Sequence, residues 1–365
     1  MICNSFGKCG SCTLWEFSYK DQLDFKVQKI KDDFLLDEVD VISSEDEHFR
    51  YRAEFRVYHD DSGISYAMSG FDKKLVKIDE CKIVSKSIED LMKNLLSEVS
   101  QNQMLKKKLF AVEFLTTTTD EAIVTLIYHK KLGEDWLEEA KKLNIDANLI
   151  GRSRGVKIVV DKDYIFETLD IDGKKYHYKI LDSGFTQPNP KVNEKMIEWV
   201  LENIPVDTKD LLELYCGLGN FTLPLSKKFE KVLATEVSKA SIRSALENVK
   251  LNDIKNISFI RLSSEELVEA LEGKREFNRL KDVDLKKFDF SHIFVDPPRA
   301  GVDDKTIEFL KKFENIIYIS CNPETLKRDL EKLDQYKVER FACFDQFAYT
   351  NHLECGVILK KATKD

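Results

Sequence analysis

Cys321 is the residue of this chain best placed for covalent chemistry. It follows the apolar run 316–320 and precedes Asn322-Pro323-Glu324, in which asparagine is a helix cap and proline suits the first helical turn. The thiol is therefore predicted at a helix N-terminus, a location that favours the thiolate and hence a nucleophile. A lone cysteine is otherwise most often a small buried hydrophobic residue, so the rest of the sequence must decide.

A glycine turn indicates a nucleoside-containing cofactor. The tract 210–220, Asp-Leu-Leu-Glu-Leu-Tyr-Cys-Gly-Leu-Gly-Asn, predicts a buried strand that runs into a turn open to a ligand. The next strand, 231–235, ends at Glu236, where an acid can accept hydrogen bonds from a ribose. The third glycine of the dinucleotide fingerprint is missing and Glu213 and Tyr215 crowd the turn, so S-adenosylmethionine is favoured. An ordinary glycine turn of an α/β domain is the alternative.

Two further strand ends carry polar side chains. The tracts Ile-Phe-Val-Asp-Pro-Pro-Arg (293–299) and Ile-Ile-Tyr-Ile-Ser-Cys-Asn-Pro (316–323) predict apolar strands that stop in proline-containing loops. Because ligands bind at the carboxyl ends of parallel strands, we expect Asp296, Arg299 and Cys321 to converge on the glycine turn. Amino-group methyltransferases carry an aromatic residue where Arg299 stands, which disfavours amino-group methylation. Rigid loops without a site are the alternative.

Methylation of uracil C5 would use such a cysteine. Uracil C5 is a poor nucleophile, so a thiolate must first attack C6, and a base must later remove the C5 proton. Glu354 lies in Thr350-Asn-His-Leu-Glu-Cys355, just before the last apolar run, and is predicted to be that base. A solvated glutamate at a strand edge is the alternative for this position.

The elements that must position these residues fall into two patterns. A helix near 19–34, a hairpin of runs 53–58 and 64 onward, and two strands at 109–115 and 122–129 predict an α+β module. From Asn193 onward, helices alternate with apolar strands, as in a parallel α/β sheet. The fold class is therefore α/β: a C-terminal Rossmann-like methyltransferase domain (178–365) preceded by an α+β RNA-binding domain (1–177).

Bulk properties set the expected compartment. The 365 residues are 42% hydrophobic, which suits two globular domains, and the net charge is -8. No run approaches the roughly 20 apolar residues of a membrane span, and the first twelve residues do not resemble a signal peptide. We expect a cytoplasmic protein with reduced cysteines, no membrane association and no obligate protein partner. RNA binding would require a local basic surface.

Basic and aromatic residues alternate in the first half, as suits a single-stranded RNA loop. A purely solvated charged face is the alternative both for the arginines and for the lysines. The two groups are Phe49, Arg50, Tyr51, Arg52 and Arg56, and Lys106, Lys107, Lys108 and Phe110.

Seven tracts make the chain resemble the bacterial tRNA (uracil-5-)-methyltransferase family over nearly its whole length. The resemblance implies S-adenosylmethionine as methyl donor and 5-methyluridine at position 54 of the tRNA T-loop as product, with T-arm-like hairpins such as that of tmRNA as further substrates. The tracts are His48-Phe-Arg-Tyr-Arg-Ala-Glu-Phe-Arg56, Leu126-Ile-Tyr-His-Lys-Lys-Leu132, Glu213-Leu-Tyr-Cys-Gly217, Arg275-Glu-Phe-Asn-Arg-Leu280, Asp296-Pro-Pro-Arg299, Ser320-Cys-Asn-Pro-Glu-Thr-Leu326 and Phe344-Asp-Gln-Phe347.

The same resemblance assigns roles to individual residues. Cys321 is expected to be the nucleophile and Glu354 the proton acceptor, as argued above. Separately from the resemblance, Arg56, Phe110 and Arg299 are predicted to contact the RNA. The residues expected to contact the cofactor are Gln187, Tyr215, Asn220, Glu236 and Asp296.

The N-terminal cysteines depart from the simplest members of that family. Cys3, Cys9 and Cys12 form C-x5-C-x2-C, and Cys81 offers a fourth thiolate. Four such ligands suit a [4Fe-4S] cluster or, as the second choice, a structural zinc; unrelated free thiols are the alternative. The pattern resembles that of rRNA uracil-C5 methyltransferases, which makes 23S rRNA the alternative substrate, although no residues are available for an added oligonucleotide-binding domain.

A different class of function is a non-catalytic RNA-binding protein that remodels tRNA. It predicts decay of the active site, whereas the cysteine, the candidate base, the glycine turn and the ribose acid are all present.

Overall fold

The computed structural model describes residues 1–204 and 208–362. No helix within these two ranges combines the length and the apolar character that a bilayer span requires. The first half of the chain contains α1 (Tyr19–Phe34), β1 (Asp40–Ile42), β2 (Arg52–Asp60), β3 (Gly63–Ser69), β4 (Leu75–Ile78), α2 (Lys86–Gln101), α3 (Gln103–Lys106), β5 (Leu109–Thr116), β6 (Ala122–Tyr128), α4 (Glu134–Ala140), β7 (Asn148–Ser153), β8 (Val156–Val159), β9 (Tyr164–Ile171) and β10 (Lys174–Leu181).

The second half supplies most of the larger sheet and its flanking helices. These elements are α5 (Pro190–Asn203), β11 (Asp210–Leu214), α6 (Thr222–Leu225), β12 (Val232–Thr235), α7 (Lys239–Leu251), β13 (Ile257–Ile260), α8 (Ser264–Leu271), β14 (Phe290–Val295), α9 (Asp304–Leu310), β15 (Asn315–Ser320), α10 (Pro323–Lys332), β16 (Tyr336–Phe344) and β17 (Glu354–Lys361).

The larger sheet has the strand order β1-β16-β17-β15-β14-β11-β12-β13. Strands β15, β14, β11, β12 and β13 run parallel, and β17 is antiparallel to both of its neighbours. Every residue of β11 and of β15 is buried, as expected for strands covered on both faces. Apolar clusters lie on the two faces of this sheet. The predicted α/β class is therefore confirmed.

The smaller sheet has the order β4-β3-β2-β5-β6-β7-β8 and packs against α2 around a third apolar cluster. The predicted hairpin and the two later strands are confirmed as β2, β3, β5 and β6. The predicted helix is confirmed as α1, with the bounds expected from its sequence.

The N-terminal residues join the larger sheet rather than the smaller one. Strand β1 pairs in parallel with β16, so Asp40 lies opposite Ala342. Ile30 of α1 packs into the apolar cluster on one face of the larger sheet, and the β9–β10 hairpin packs into the cluster on its other face. Segments from both sides of residues 177 and 178 thus cover the same sheet, and the domain boundary expected there stays a prediction.

Candidate active site

Five strands of the larger sheet bring polar residues to one edge. Because β11, β12, β14 and β15 are parallel, the residues that follow them lie at a common carboxyl edge. Strand β17 runs the other way, so its first residue, Glu354, lies at the same edge. Ser320 pairs with Cys355, and the next step of this register places Cys321 opposite Glu354. The residues that follow the four parallel strands are Tyr215, Glu236, Asp296 and Cys321.

A cavity beside the glycine turn occupies this edge, and we call it the glycine-turn cavity. It measures about 1080 Å³, a volume that includes its open mouth. At Gly217, φ is 56° and an added Cβ would meet nothing within 4 Å, so the turn leaves space for a ligand. The buried Oε1 of Gln187 and Oε2 of Glu213 have no hydrogen-bond partner within the described part of the chain. The expected cofactor residues that line it are Gln187, Tyr215, Asn220 and Asp296.

Glu236 stands at the rim of the glycine-turn cavity rather than on its wall. Its carboxylate accepts hydrogen bonds from the backbone N–H of Gly217 at 3.2 Å and of Ser238 at 2.7 Å, and both of these residues line the cavity. These two bonds orient the acid at the end of β12. Its place is the one expected of a ribose-binding acid.

Asn220 and Tyr215 are held by protein contacts. The side-chain amides of Asn220 and Asn193 exchange two hydrogen bonds of 2.8 and 2.9 Å. The hydroxyl of Tyr215 lies 3.0 Å from that of Ser264, and Tyr215 has a positive φ of 62° at the start of the turn. Both residues are thereby fixed in the wall of the cavity.

Two carboxyl groups at this edge have raised pKa values. Glu354 is 3% exposed, and its Oε2 has no hydrogen-bond partner among the described residues. Burial, with a smaller contribution from Asp296, raises the pKa of Glu354 to about 8, and Arg299 opposes the shift. Burial raises the pKa of Asp296 to about 7. Both groups can therefore exchange protons near neutral pH.

Cys321 is a half-buried thiol whose surroundings act on its pKa in both directions. Burial raises its pKa, and the nearby carboxyls Glu354 and Asp296 raise it further, whereas Arg299 lowers it. Cys321 also precedes the cap of α10, which is Asn322, so it lies just outside the helix. Desolvation outweighs the helix terminus here.

The loops that carry Cys321 and Arg299 are tied to each other. The backbone carbonyl of Arg299 accepts hydrogen bonds from the Asn322 side chain at 3.1 Å and from the Thr325 hydroxyl at 3.3 Å. Arg328 binds the carbonyl of Ala300 in the same way. These bonds hold the Asp-Pro-Pro-Arg loop against the start of α10.

A second cavity, the four-thiol cavity, is lined by Cys3, Cys9, Cys12 and Cys81. Arg50, Arg299 and His352 line it as well, so it extends from the N-terminal segment to the loops of the active site. Burial raises the pKa of Cys12 and of Cys81 to about 12. Within residues 1–204 and 208–362, no three His, Cys, Asp or Glu side chains are grouped so that they could hold a metal ion.

Arg56 and Phe110 lie together on the exposed face of the smaller sheet. The Phe110 ring stacks on His129 with 4.0 Å between centroids, and the Arg56 guanidinium lies 5.4 Å from the Phe110 ring. His129 was not predicted, although it lies in one of the tracts quoted above. A groove lined by Phe110 and His129 continues along Lys130, Lys131, Arg152 and Arg154.

Four neighbouring residues do not form the expected RNA surface. Arg52 binds Glu113 and the carbonyls of Asp182 and Gly184. The other three residues are placed elsewhere: Phe49 is buried at 3% exposure, Arg50 lines the four-thiol cavity and Tyr51 lines the glycine-turn cavity. The alternation of polar and apolar residues predicted which face of β2 is exposed. It could not predict that the Arg52 guanidinium on that face is bound by other residues of the protein.

Sequence reasoning missed a buried ion pair at the end of β16. Lys26 of α1 and Asp345 form an ion pair of 2.6 Å, and their side chains are 3% and 0% exposed. The tract 344–347, Phe-Asp-Gln-Phe, contains Asp345, and the polar stripe of α1 contains Lys26. Both residues could be picked out from the sequence, but no local pattern shows that they pair across 319 positions.

Comparisons with known proteins agree with these observations. The model of the family described as tRNA (Uracil-5-)-methyltransferase matches residues 18–362. A tRNA/tmRNA (uracil-C(5))-methyltransferase of Aliarcobacter butzleri (strain RM4018) is 52% identical over 372 residues, which cover 99% of each chain. A protein of the same name from Sulfurovum sp. (strain NBC37-1) is 52% identical over 370 residues, covering 99% of this chain and 100% of the relative.

One solved structure shares the fold across almost the whole chain. It is the Pyrococcus abyssi tRNA (uracil-54, C5)-methyltransferase in complex with S-adenosyl-L-homocysteine. The TM-score is 0.75 at 24% identity, and the likeness covers 96% of this chain and 86% of the other. At this identity, the likeness concerns the fold alone.

Proposed function

Since the chain belongs to the tRNA (uracil-5-)-methyltransferase family, we propose that it methylates C5 of uridine 54 in the tRNA T-loop with S-adenosylmethionine as donor. The relatives at 52% identity are named for both tRNA and tmRNA, which supports a T-arm-like hairpin of tmRNA as a second substrate. The observation that carries the proposal is that Cys321 lies close enough to Glu354 and Asp296 for both carboxyls to raise its pKa, and that Asp296 also lines the glycine-turn cavity. We place this activity in the cytoplasm, where tRNA is modified.

The glycine-turn cavity fits the proposed cofactor. Gln187 and Glu213 offer unpaired buried oxygens to its polar groups, and Glu236 is an acid suited to its ribose. Tyr215, Asn220 and Asp296 would complete the wall around it. S-adenosylmethionine supplies an electrophilic methyl group on a positively charged sulfur.

The residues of the chain divide the remaining chemistry between them. The Cys321 thiolate attacks C6 of the uracil, forming an S–C6 bond and moving electron density to C5 and the adjoining carbonyl oxygen. After C5 has gained the methyl group, the Glu354 carboxylate removes the C5 proton. The C5–C6 double bond then re-forms as the S–C6 bond breaks, and the thiolate is regenerated. Arg299, which lowers the pKa of Cys321, favours the attacking form.

The RNA would approach across the smaller sheet. A T-loop uridine must be unstacked before Cys321 can reach it, at a cost of a few kcal/mol. The exposed stack of Phe110 on His129, with Arg56 beside it, offers an aromatic surface and a cation for the opened loop. We propose Arg56, Phe110 and Arg299 as RNA contacts, and the basic groove beyond Phe110 as a path for phosphates.

We also propose that Cys3, Cys9, Cys12 and Cys81 bind one [4Fe-4S] cluster. All four thiols line one cavity, and Arg50 supplies a cation near thiolate ligands. A tetrahedral zinc with Zn–S bonds of about 2.3 Å needs thiolates within about 4 Å of one another. The proposal rests on the shared cavity and on Arg50, and zinc stays the second choice for the same four thiols. We derive no step of the reaction from this site.

A methyl-transfer assay tests the proposed activity. Unmodified tRNA transcript, the same transcript with cytidine at position 54, and a 23S rRNA fragment are incubated with labelled S-adenosylmethionine. Label should appear only in the first RNA, as 5-methyluridine located by nuclease digestion and mass spectrometry. Methylation of the rRNA fragment instead would move the activity to the alternative substrate, and label in the cytidine-54 transcript would contradict the site.

A further inference from the structure

Two of the three fully buried residues of α1 are polar. Its buried residues are Gln22, Lys26 and Ile30, spaced four apart along one stripe of the helix. A helix on the surface of a globular protein normally buries an apolar stripe. The polar residues at these buried positions therefore indicate that α1 binds particular polar groups elsewhere in the protein.

These partners lie in the loop 345–353, which joins β16 to β17. Lys26 Nζ donates to Asp345 Oδ1 at 2.6 Å and lies 3.5 Å from the carbonyl oxygens of Phe347 and His352. One buried ammonium group thus contacts the start, the middle and the end of the loop. The second oxygen of Asp345 has no hydrogen-bond partner among the described residues, so Lys26 is the cation on which this buried carboxylate depends.

The N-terminal segment also holds the backbone of the loop at Tyr349. The Tyr349 N–H donates to Gln22 Oε1, and its carbonyl accepts from the N–H of Leu14 at 3.0 Å. Tyr349 has a φ of 64°, a left-handed conformation that a tyrosine keeps only where its surroundings fix it. The loop conformation therefore depends on residues more than 300 positions earlier in the chain.

The loop ends directly at the proposed base. Glu354 pairs with Phe344 in the β16–β17 register, so the loop connects two positions that face each other. Its first residue, Asp345, is fixed by Lys26, and its last residues lead into Glu354. A displacement of this loop would move the carboxyl group relative to Cys321.

We propose that Lys26, through Asp345, is a positioning residue that keeps the loop 345–353 and Glu354 aligned with Cys321. The inference rests on the proposed function, because it assigns to Glu354 the removal of the C5 proton. A buried ion pair adds little net stability relative to apolar residues of similar size, but it fixes geometry. The pair therefore serves alignment more than folding.

The test uses the full chain with T-arm RNA and S-adenosylmethionine in single-turnover experiments. The covalent protein–RNA adduct reports attack by Cys321, and its decay to product reports proton removal by Glu354. In Lys26→Met, adduct formation should keep the wild-type rate while adduct decay slows by roughly 10- to 100-fold, the effect of a misplacement of about 1 Å. Lys26→Arg should restore part of the decay rate.

A paired substitution separates alignment from stability. In Lys26→Met/Asp345→Leu, no buried charge is left without its partner, so the urea midpoint should return toward wild type while adduct decay stays slow. If Lys26→Met does not fold, the rates of adduct formation and decay are measured in this double variant and in Lys26→Arg instead. Wild-type adduct decay in the folded double variant would overturn the inference, as would an equal loss of adduct formation and decay in either folded variant.

Two further variants complete the design. Lys231→Met removes a lysine that lies 3.4 Å from the buried Asp210, at the amino end of β11 and thus at the opposite edge of the sheet. This variant should change the stability of the protein but should not slow adduct decay relative to adduct formation. Glu354→Gln should stall adduct decay. If this variant releases product normally, the proposed base is wrong. If Glu354→Gln stalls but the Lys26 variants release product at the wild-type rate, only the role of Lys26 is refuted.

Discussion

Replacement of Glu354 by glutamine should both stabilise the protein and stall its reaction. The carboxyl group is 3% exposed, and burial raises its pKa from 4.5 to about 8. Each tenfold change in an ionisation equilibrium corresponds to about 1.36 kcal/mol, so ionised Glu354 costs the folded protein at most about 5 kcal/mol. Glutamine has almost the same shape and carries no charge to desolvate.

The sign of the pH dependence follows from the two pKa values. In the unfolded chain Glu354 ionises near pH 4.5, whereas in the folded protein it keeps its proton until about pH 8. Between these values the unfolded state binds fewer protons, so the stability of the wild type falls as pH rises. Below pH 4.5 the two proteins should be equally stable, and above pH 8 the glutamine variant should be more stable by up to about 5 kcal/mol.

Urea unfolding at pH 5 and at pH 8.5 measures this difference directly. The stability of Glu354→Gln minus that of the wild type should widen between the two pH values. In parallel, the variant should accumulate covalent adduct with ordinary T-arm RNA and lose roughly 10²- to 10⁴-fold in turnover. A constant stability difference would refute the raised pKa, and normal turnover would require another base.

Three further predictions concern the cofactor, the RNA and the N-terminal thiols. Glu236→Ala should weaken S-adenosylmethionine binding by at least tenfold in calorimetry, about 1.4 kcal/mol, without changing RNA affinity, because the acid is held at the rim of the glycine-turn cavity by the Gly217 backbone. Equal losses in both affinities would argue against a ribose role. Phe110→Ala should weaken T-arm RNA binding by about 1–3 kcal/mol in a filter-binding titration, the free energy of one base–aromatic stack, whereas the Phe25→Ala control should leave the Kd unchanged. Cys12→Ser should abolish iron binding in anaerobically purified protein and lower RNA affinity while leaving cofactor affinity unchanged; wild-type protein without iron would refute the cluster.

The catalytic edge of the larger sheet was predictable because its signals are local. Each of the strands β11, β12, β14 and β15 is a short apolar run followed by a polar residue, and parallel strands must share an edge. That rule alone brought Glu236, Asp296 and Cys321 together. The antiparallel register that adds Glu354 could not be derived from it and was reached from the chemistry and the family resemblance.

The features that were missed depend on contacts between distant parts of the chain. The β1–β16 pairing joins Asp40 to Ala342, and no local pattern encodes such a partner. The raised pKa of Cys321 follows from burial and from two carboxyls that other strands supply. Arg52 lies on the face that alternation predicted, but its partner Glu113 comes from another strand.

Covalent trapping by RNA that carries 5-fluorouridine at position 54 tests the central claim most directly. Fluorine at C5 cannot leave as a proton, so wild-type protein with S-adenosylmethionine should form an adduct that survives denaturing electrophoresis. Mass spectrometry of the digested adduct should place the RNA on Cys321, and Cys321→Ala should form none. An adduct on another residue, or one that persists in Cys321→Ala, would contradict the account.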